Sequence, residues 1–170
     1  SIVALEAQTG RLRWHYQFTP HDLHDWDSNH VPVLADIVFD GEPRNVVMVA
    51  NRNGFFYVLD RETGEFLWAT PTVSQNVISS IDGATGAVSE NSEVVFTRDG
   101  QQVMACPTWQ GGKDWEAGAY SPLTNHMYMP LRHTCGRMMA DAGNGWYAIT
   151  VRTQLTPGEN QLGTIQAISV

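Results

Sequence analysis

Ala4-Leu5-Glu6-Ala7-Gln8-Thr9-Gly10-Arg11-Leu12-Arg13-Trp14 and, 54 residues later, Val58-Leu59-Asp60-Arg61-Glu62-Thr63-Gly64-Glu65-Phe66-Leu67-Trp68 are two copies of one eleven-residue pattern. Each copy reads as a strand, an acidic turn ending in Thr-Gly, a second strand and a tryptophan. Glycine supplies the positive φ that a tight hairpin asks for, and the alternation after it turns the Trp toward the buried side. A third, weaker copy, Ile81-Asp82-Gly83-Ala84-Thr85-Gly86, has no closing Trp and marks an extra hairpin.

The pattern returns at the far end of the chain. Gly163-Thr164-Ile165-Gln166-Ala167-Ile168-Ser169 resembles Ser1-Ile2-Val3-Ala4-Leu5-Glu6, and Ala4 to Ala167 is 163 residues, close to three of the 54-residue steps. A period of about 40 to 50 residues holding several short strands is the signature of β-propeller blades, slightly exceeded here by loop insertions. Three copies do not close such a core. The expectation is therefore an all-β segment of about three blades, with residues 1–170 forming one partial propeller domain cut at both ends. A self-contained β-sandwich explains the strands but not the matched ends.

Between the hairpins lies Thr19-Pro20-His21-Asp22-Leu23-His24-Asp25-Trp26-Asp27-Ser28-Asn29, with three carboxylates and two imidazoles in seven positions. Carboxylates at i and i+2 do not share a helix face, but in an extended or turning loop Asp25 and Asp27 can both point at one cation. Crowded acids repel, so a positive group is expected among them. Further on, Val46-Val47-Met48-Val49-Ala50 and Phe55-Phe56-Tyr57-Val58-Leu59 flank Asn51-Arg52-Asn53-Gly54, a strong hairpin signal. The asparagines there read as turn formers. Arg52 differs, because an Arg among turn residues can project a planar cation into a shared loop face.

Later segments read as more strand and loop. Val94-Val95-Phe96-Thr97-Arg98-Asp99-Gly100 is expected as a strand ending in a turn. Gly111-Gly112, flanked by Trp109 and Trp115, lets the backbone approach something closely. Ala119 to Pro130 reads as a hairpin of two short strands, and Gly143-Asn144-Gly145-Trp146 and Thr156-Pro157-Gly158-Glu159-Asn160 as loops before the last strand.

Bulk properties exclude several function classes. A net charge of -8 argues against nucleic acid and against an anionic membrane surface, and a hydrophobic fraction of 42% is that of an ordinary folded domain. No apolar run reaches the roughly 18 residues a membrane span needs, and Ser1-Ile2-Val3-Ala4-Leu5 lacks the flanks of a signal peptide. Cys106 and Cys135 have no CxxC partner, which argues against metal binding through sulfur and leaves room for one disulfide. A disulfide would place the chain in an oxidising compartment.

In order along the chain, the acidic stretch, Asn-Arg-Asn-Gly and Gly-Gly-Lys-Asp-Trp resemble the pyrroloquinoline-quinone (PQQ) dependent, or quinoprotein, alcohol dehydrogenase family, which includes methanol and glucose dehydrogenases. The resemblance covers essentially the whole length. It implies an eight-bladed propeller whose blades are locked by tryptophan-docking motifs of the Thr-Gly…Trp type, a PQQ cofactor with a Ca²⁺ or lanthanide ion, and oxidation of a small-molecule alcohol or sugar. Pro20-His21-Asp22-Leu23-His24-Asp25-Trp26-Asp27 aligns without a gap to the family's Pro-His-Asp-x-Trp-Asp-x-Asp or Pro-His-Asp-x-Trp-Asp-x-Ala stretch, with His24 in place of Trp. That alignment puts Asp25 on the catalytic base and makes Asp25 and Asp27 metal ligands, Asp27 being the extra aspartate of the lanthanide branch. A slid alignment puts Trp26-Asp27 on the Trp-Asp pair instead. A further carboxylate suits a larger, trivalent, hard cation.

By the same resemblance Arg52 contacts the quinone oxygens, and Asp114 falls where an asparagine commonly holds the quinone, with Trp115 beside it. Cys106 and Cys135 fall on a family disulfide, and the setting implied is the periplasm. The implied partners are a cytochrome c or quinone electron acceptor and the remainder of the same propeller, with homo-oligomerisation left open. Blander roles stand beside these. His21, Asp22 and His24 read as loop hydrogen-bonders, Trp14 and Trp68 as structural docking residues, and Lys113 as a solvated loop cation. Two other function classes also remain: a non-catalytic propeller scaffold, and a carbohydrate-binding propeller using Trp109, Trp115 and Trp146 as sugar platforms.

Overall fold

Both full copies of the eleven-residue pattern fold as hairpins in the same register. In the computed structural model, which describes residues 1–144 and 147–170, β1 (Ile2–Leu5) pairs antiparallel with β2 (Leu12–Tyr16) so that Ala4 faces Trp14. A four-stranded antiparallel sheet follows in chain order: β3 (Val33–Phe39), β4 (Glu42–Ala50), β5 (Phe55–Asp60) and β6 (Phe66–Pro71). There Val58 faces Trp68, the equivalent pair, and the register slips one position later in both hairpins. The acidic turns are built alike. Asp60 Oδ1 accepts from the backbone N–H of Glu62 and Thr63 and from the Thr63 hydroxyl, and Asp82 Oδ1 accepts from Ala84, Thr85 and the Thr85 hydroxyl in the same way. Each side chain stands in for a backbone acceptor and closes the turn. The Asp82 turn joins β7 (Ile78–Ile81) to β8 (Val88–Glu90), the extra hairpin expected from the third copy.

The four-stranded sheet is covered on both faces, which is why β4 and β5 read as continuous apolar runs. On one face Val47, Val49, Tyr57 and Leu59 pack with Tyr16 and Phe18. On the other, Val46, Met48, Phe56 and Val58 pack against Met127, Met129 and Leu131. Those three belong to β11 (His126–Arg132), the middle strand of a sheet with β10 (Ala119–Ser121) and β14 (Gly163–Ser169). The last sheet places β12 (Thr134–Asp141) between β9 (Gln102–Ala105) and β13 (Tyr147–Leu155). No α-helix occurs among the described residues; one short 3₁₀ turn spans Ala142–Asn144. Trp14 lies on Gly64, where an added Cβ would sit 2.8 Å from the ring, and its indole N–H donates to the carbonyl of Arg61 at 3.1 Å. Trp14 and Trp68 are half-buried rather than enclosed.

The strand expected at Val94–Gly100 does not form. The segment is turn and bend: Val94 N–H donates to the carbonyl of Asn91, and the Gln101 side chain takes up the backbone N–H and hydroxyl of Thr97. Val94 and Phe96 still bury in a cluster with Trp26, Val103 and Met138. Burial of β-type side chains thus produced a strand-like pattern without a ladder partner. Of the expected loop at Gly143–Trp146, Gly145 and Trp146 lie outside the described residues. Cys106 and Cys135 form a disulfide.

Candidate active site

The turn between β4 and β5 is where the chain converges. Asn51 Oδ1 accepts from the N–H of Asn53, Gly54 N–H donates to the carbonyl of Asn51, and Gly54 takes the left-handed φ of 92° that closes the turn. Both asparagines are fully buried and tie the turn to the acidic loop. Asn51 Nδ2 donates to the Ser28 hydroxyl, and Asn53 Nδ2 to the carbonyl of Phe18 and to the Tyr57 hydroxyl. A turn-forming role alone understates them, since they also satisfy loop groups tens of residues earlier.

Arg52 is held from two sides. Its Nε and Nη2 donate to Oδ1 of Asp114 at 3.1 and 2.6 Å, and its Nη1 donates to the backbone carbonyl of Asp25 at 3.2 Å. The Asp27 carboxylate is 4.0 Å from the same Nη1, and the guanidinium carbon lies 6.0 Å from the centroid of Trp109. Arg52 and Asp114 are both buried. A delocalised guanidinium suits this place because its donors point in several fixed directions at once.

Asp114 reaches Arg52 because the glycines before it have no side chain. A Cβ on Gly112, at φ 61°, would stand 2.8 Å from the carbonyl of Arg52, and one on Gly111 would stand 2.3 Å from the Pro107 ring. The close approach expected of Gly-Gly is thus to the Arg52 turn itself. Asp114 Oδ1 also accepts from Asn29 Nδ2 at 2.7 Å and from the N–H of Trp115 at 2.9 Å. Burial pushes this carboxyl up, but the Asn29 and Arg52 hydrogen bonds and the Arg52 charge outweigh it and leave Asp114 below its ordinary value.

The acidic loop presents its carboxylates beside that pair. Asp25 sits at φ 68°, a left-handed conformation that turns its carbonyl toward Arg52. Its two neighbours anchor the loop: the His24 ring is stacked between Trp26 and Phe96 with centroids 4.3 and 4.4 Å away, and the Trp26 indole donates to the carbonyl of Pro107 at 3.2 Å. Burial and the adjacent Asp27 push Asp25 above its ordinary value, and Arg52 pulls it back only in part. Burial and Asp27 push Asp22 up as well, against hydrogen bonds from the loop backbone. His24 and His30 are both lowered to about 4 by burial, so both rings are neutral at ordinary pH.

Arg52, Asp114, Asp27 and the backbone of Asp25 thus meet, whereas the Trp115 side chain is 71% exposed and approaches the group through its backbone N–H. Trp115 lines a cleft of ≈ 280 Å³ with His30, Val31, Val33, Ala117 and Gly118. Lys113 is not the solvated cation expected: it is fully buried, with Nζ donating to the carbonyls of Asp114 and Glu116. The Gly-Gly that lets this loop lie down also encloses the lysine. Asn29 and Trp109 are site neighbours that sequence spacing does not reveal, because each is brought in by a different loop.

Asp25 and Asp27 offer hard oxygen donors whose mutual repulsion a cation would relieve, which fits Ca²⁺ or a lanthanide. Among the described residues no group of three or more His, Cys, Asp or Glu side chains gathers as a metal centre. Arg52 Nη1 is a donor suited to a quinone oxygen, and Trp109 presents an aromatic surface beside it. Asp114, ionised, can only accept hydrogen bonds, unlike the asparagine that the resemblance implies at its position.

The chain is similar to known proteins in sequence and in fold. Residues 1–80 match the family described as PQQ: glucose/ethanol/alcohol dehydrogenase, beta-propeller domain. The chain is similar to quinohemoprotein alcohol dehydrogenase ADH-IIG of Pseudomonas putida, 40% identical over 131 residues, covering 76% of this chain and 18% of that protein. It is also similar to the dehydrogenase subunit of alcohol dehydrogenase (quinone) of Gluconacetobacter polyoxogenes, 38% identical over 132 residues, covering 78% of this chain and 18% of that protein. Among solved structures, a europium-containing methanol dehydrogenase superposes with a TM-score of 0.86 at 29% identity, over 97% of this chain and 30% of that one. The sheet arrangement is thus that of propeller-type PQQ dehydrogenases. The chain belongs to the PQQ-dependent alcohol dehydrogenase family, and it spans about a fifth of the length of the curated relatives it matches.

Proposed function

We propose that this chain contributes one side of the active site of a PQQ-dependent dehydrogenase that oxidises an alcohol or sugar hydroxyl to a carbonyl. One observation carries the reading: Arg52, buried in a turn, bonds the loop that bears Asp25 and Asp27 and the loop that bears Asp114. When bound, PQQ would supply the two-electron acceptor and Ca²⁺ or a lanthanide the Lewis acid that polarises it. Asp25 would take the hydroxyl proton at its carboxylate, and the cation would keep that carboxylate ionised against burial and Asp27. Asp27 would add its carboxylate to the cation. Arg52 would direct Nη1 at a quinone oxygen, its orientation set by Asp114. Trp115 would border the ligand space through the cleft it shares with His30 and Val33.

On this reading the stacked sheets are three of eight propeller blades, and the seating of Trp14 on Gly64 is a blade-to-blade lock. The Cys106–Cys135 disulfide supports a periplasmic setting. The relatives' names, with quinone and quinohemoprotein in them, support a quinone or cytochrome c as electron acceptor. The test uses the full-length protein stripped of metal, to which PQQ and then Ca²⁺ or La³⁺ are added, following quinone absorbance and dye-linked alcohol oxidation. Both signals should need PQQ and a cation together. Asp25→Asn should abolish turnover while PQQ still binds, and Asp27→Asn should weaken La³⁺ more than Ca²⁺. Absence of both signals under every addition would favour a non-catalytic scaffold.

A further inference from the structure

Lys113 has no exposure to solvent, and its loop is held down by paired bonds between Gly112 and Arg132. Its ammonium donates to the carbonyl of Asp114 at 2.5 Å and to the carbonyl of Glu116. Among the described residues no carboxylate stands within ion-pair distance of it: Asp114 turns its carboxylate to Arg52, and Glu116 bonds Arg132 at 3.4 Å. His30, whose position also bears on Lys113, is neutral and supplies no counter-charge. A buried cation with no carboxylate at ion-pair distance is costly even where carbonyls receive it, so its presence calls for a reason beyond clipping a loop.

Asp114 supplies that reason. A carboxylate bonded to both Nε and Nη2 cancels most of the Arg52 charge at a distance, so an anionic ligand would meet a neutral pair beside the acids Asp25 and Asp27. We infer that Lys113 restores this lost charge: Lys113, Asp114 and Arg52 form a plus–minus–plus group whose single net positive charge holds an anionic ligand, and Lys113 acts through Asp114 as a positioning residue. Burial lowers the Lys113 pKa, and the nearby charges of Glu116 and Asp114 oppose this. The inference rests on the PQQ reading above, PQQ being an anion with carboxylates of its own.

A charge cycle in the full-length protein tests it, with PQQ affinity measured by fluorescence titration at fixed Ca²⁺ and folding followed by the thermal midpoint. Lys113→Met should weaken PQQ binding about tenfold or more, the loss expected for one buried charge. Lys113→Met combined with Asp114→Asn returns the group to a net charge of one and should recover affinity to within about threefold of the unaltered protein. A loop clip would show no such rescue. Should Lys113→Met fail to fold, Asp114→Asn alone decides: the group then carries two charges and should bind PQQ more tightly, whereas weaker or unchanged binding overturns the inference. A double variant no better than Lys113→Met overturns it too. PQQ binding that ignores the whole cycle removes the triad alone, while no binding by the unaltered protein removes the quinoprotein reading and the triad's ligand with it.

Discussion

Strand β5 ends in two turns that look alike and behave differently. Asn51–Gly54 precedes it and Asp60–Gly64 follows it; each holds an arginine and closes on a glycine with positive φ, 92° at Gly54 and 78° at Gly64. At the second turn Arg61 reaches the largely exposed Asp36 at 2.8 Å and is itself a third exposed. At the first, Arg52 is 8% exposed because loops from residues 19–30 and 107–116 fold over it. Local turn chemistry is shared, and what differs is whether distant loops cover it. The covered turn gains a dry electrostatic environment in which one guanidinium binds the buried Asp114 carboxylate and the Asp25 carbonyl, with the exposed Asp27 at its rim. The open turn serves packing, with Trp14 as its cover.

The contrast can be broken at each turn. Arg52→Ala would leave the Asp114 carboxylate buried without its cation and should cost about 3–5 kcal/mol in urea unfolding. Loss of under 1 kcal/mol there would mean that the loops relax and the site is open in solution. Gly64→Ala is next in size. Its Cβ would strike the Trp14 ring 2.8 Å away and the left-handed φ would be strained, for about 1–3 kcal/mol, and Trp14 fluorescence should report the displacement.

Acid sharpens the comparison further. Asp114 is held below its ordinary value in the folded protein, so the unfolded chain binds its proton more readily. Its contribution to stability is therefore present above the ordinary carboxylate range and lost as pH falls below about 4. Asp114→Asn should flatten that acid-side slope in a pH series of thermal midpoints; an unchanged slope would assign it to other acids. The smallest effect belongs to the open turn. Arg61→Ala breaks a solvent-facing pair with Asp36 and should cost no more than about 1 kcal/mol, less at high salt.

Legibility followed the range of the interaction. Hairpins at Thr9-Gly10, Thr63-Gly64 and Thr85-Gly86 were readable because a turn is closed by its own residues, as the Asp60 and Asp82 side-chain bonds show. Val94–Gly100 misled because apolar alternation reports burial, and here burial came without a neighbouring strand. Arg52, Asp25, Asp27 and Asp114 were picked out as residues, but their contacts were not. The partners of Arg52 lie 27 and 62 positions away, and no local pattern encodes such closures. Lys113 was misjudged for the same reason, since the carbonyls that receive its ammonium face inward only once Gly112 lies on the Arg52 turn.

From its sequence alone this chain is all-β, its Thr-Gly hairpins follow, and its candidate acids and cation are marked, because hydrophobic alternation and glycine's access to positive φ act over a few residues. Only tertiary structure decided which arginine is buried, which carboxylate neutralises it and which lysine loses its water. Those outcomes depend on desolvation, and desolvation is set by segments that meet in space while lying far apart along the chain.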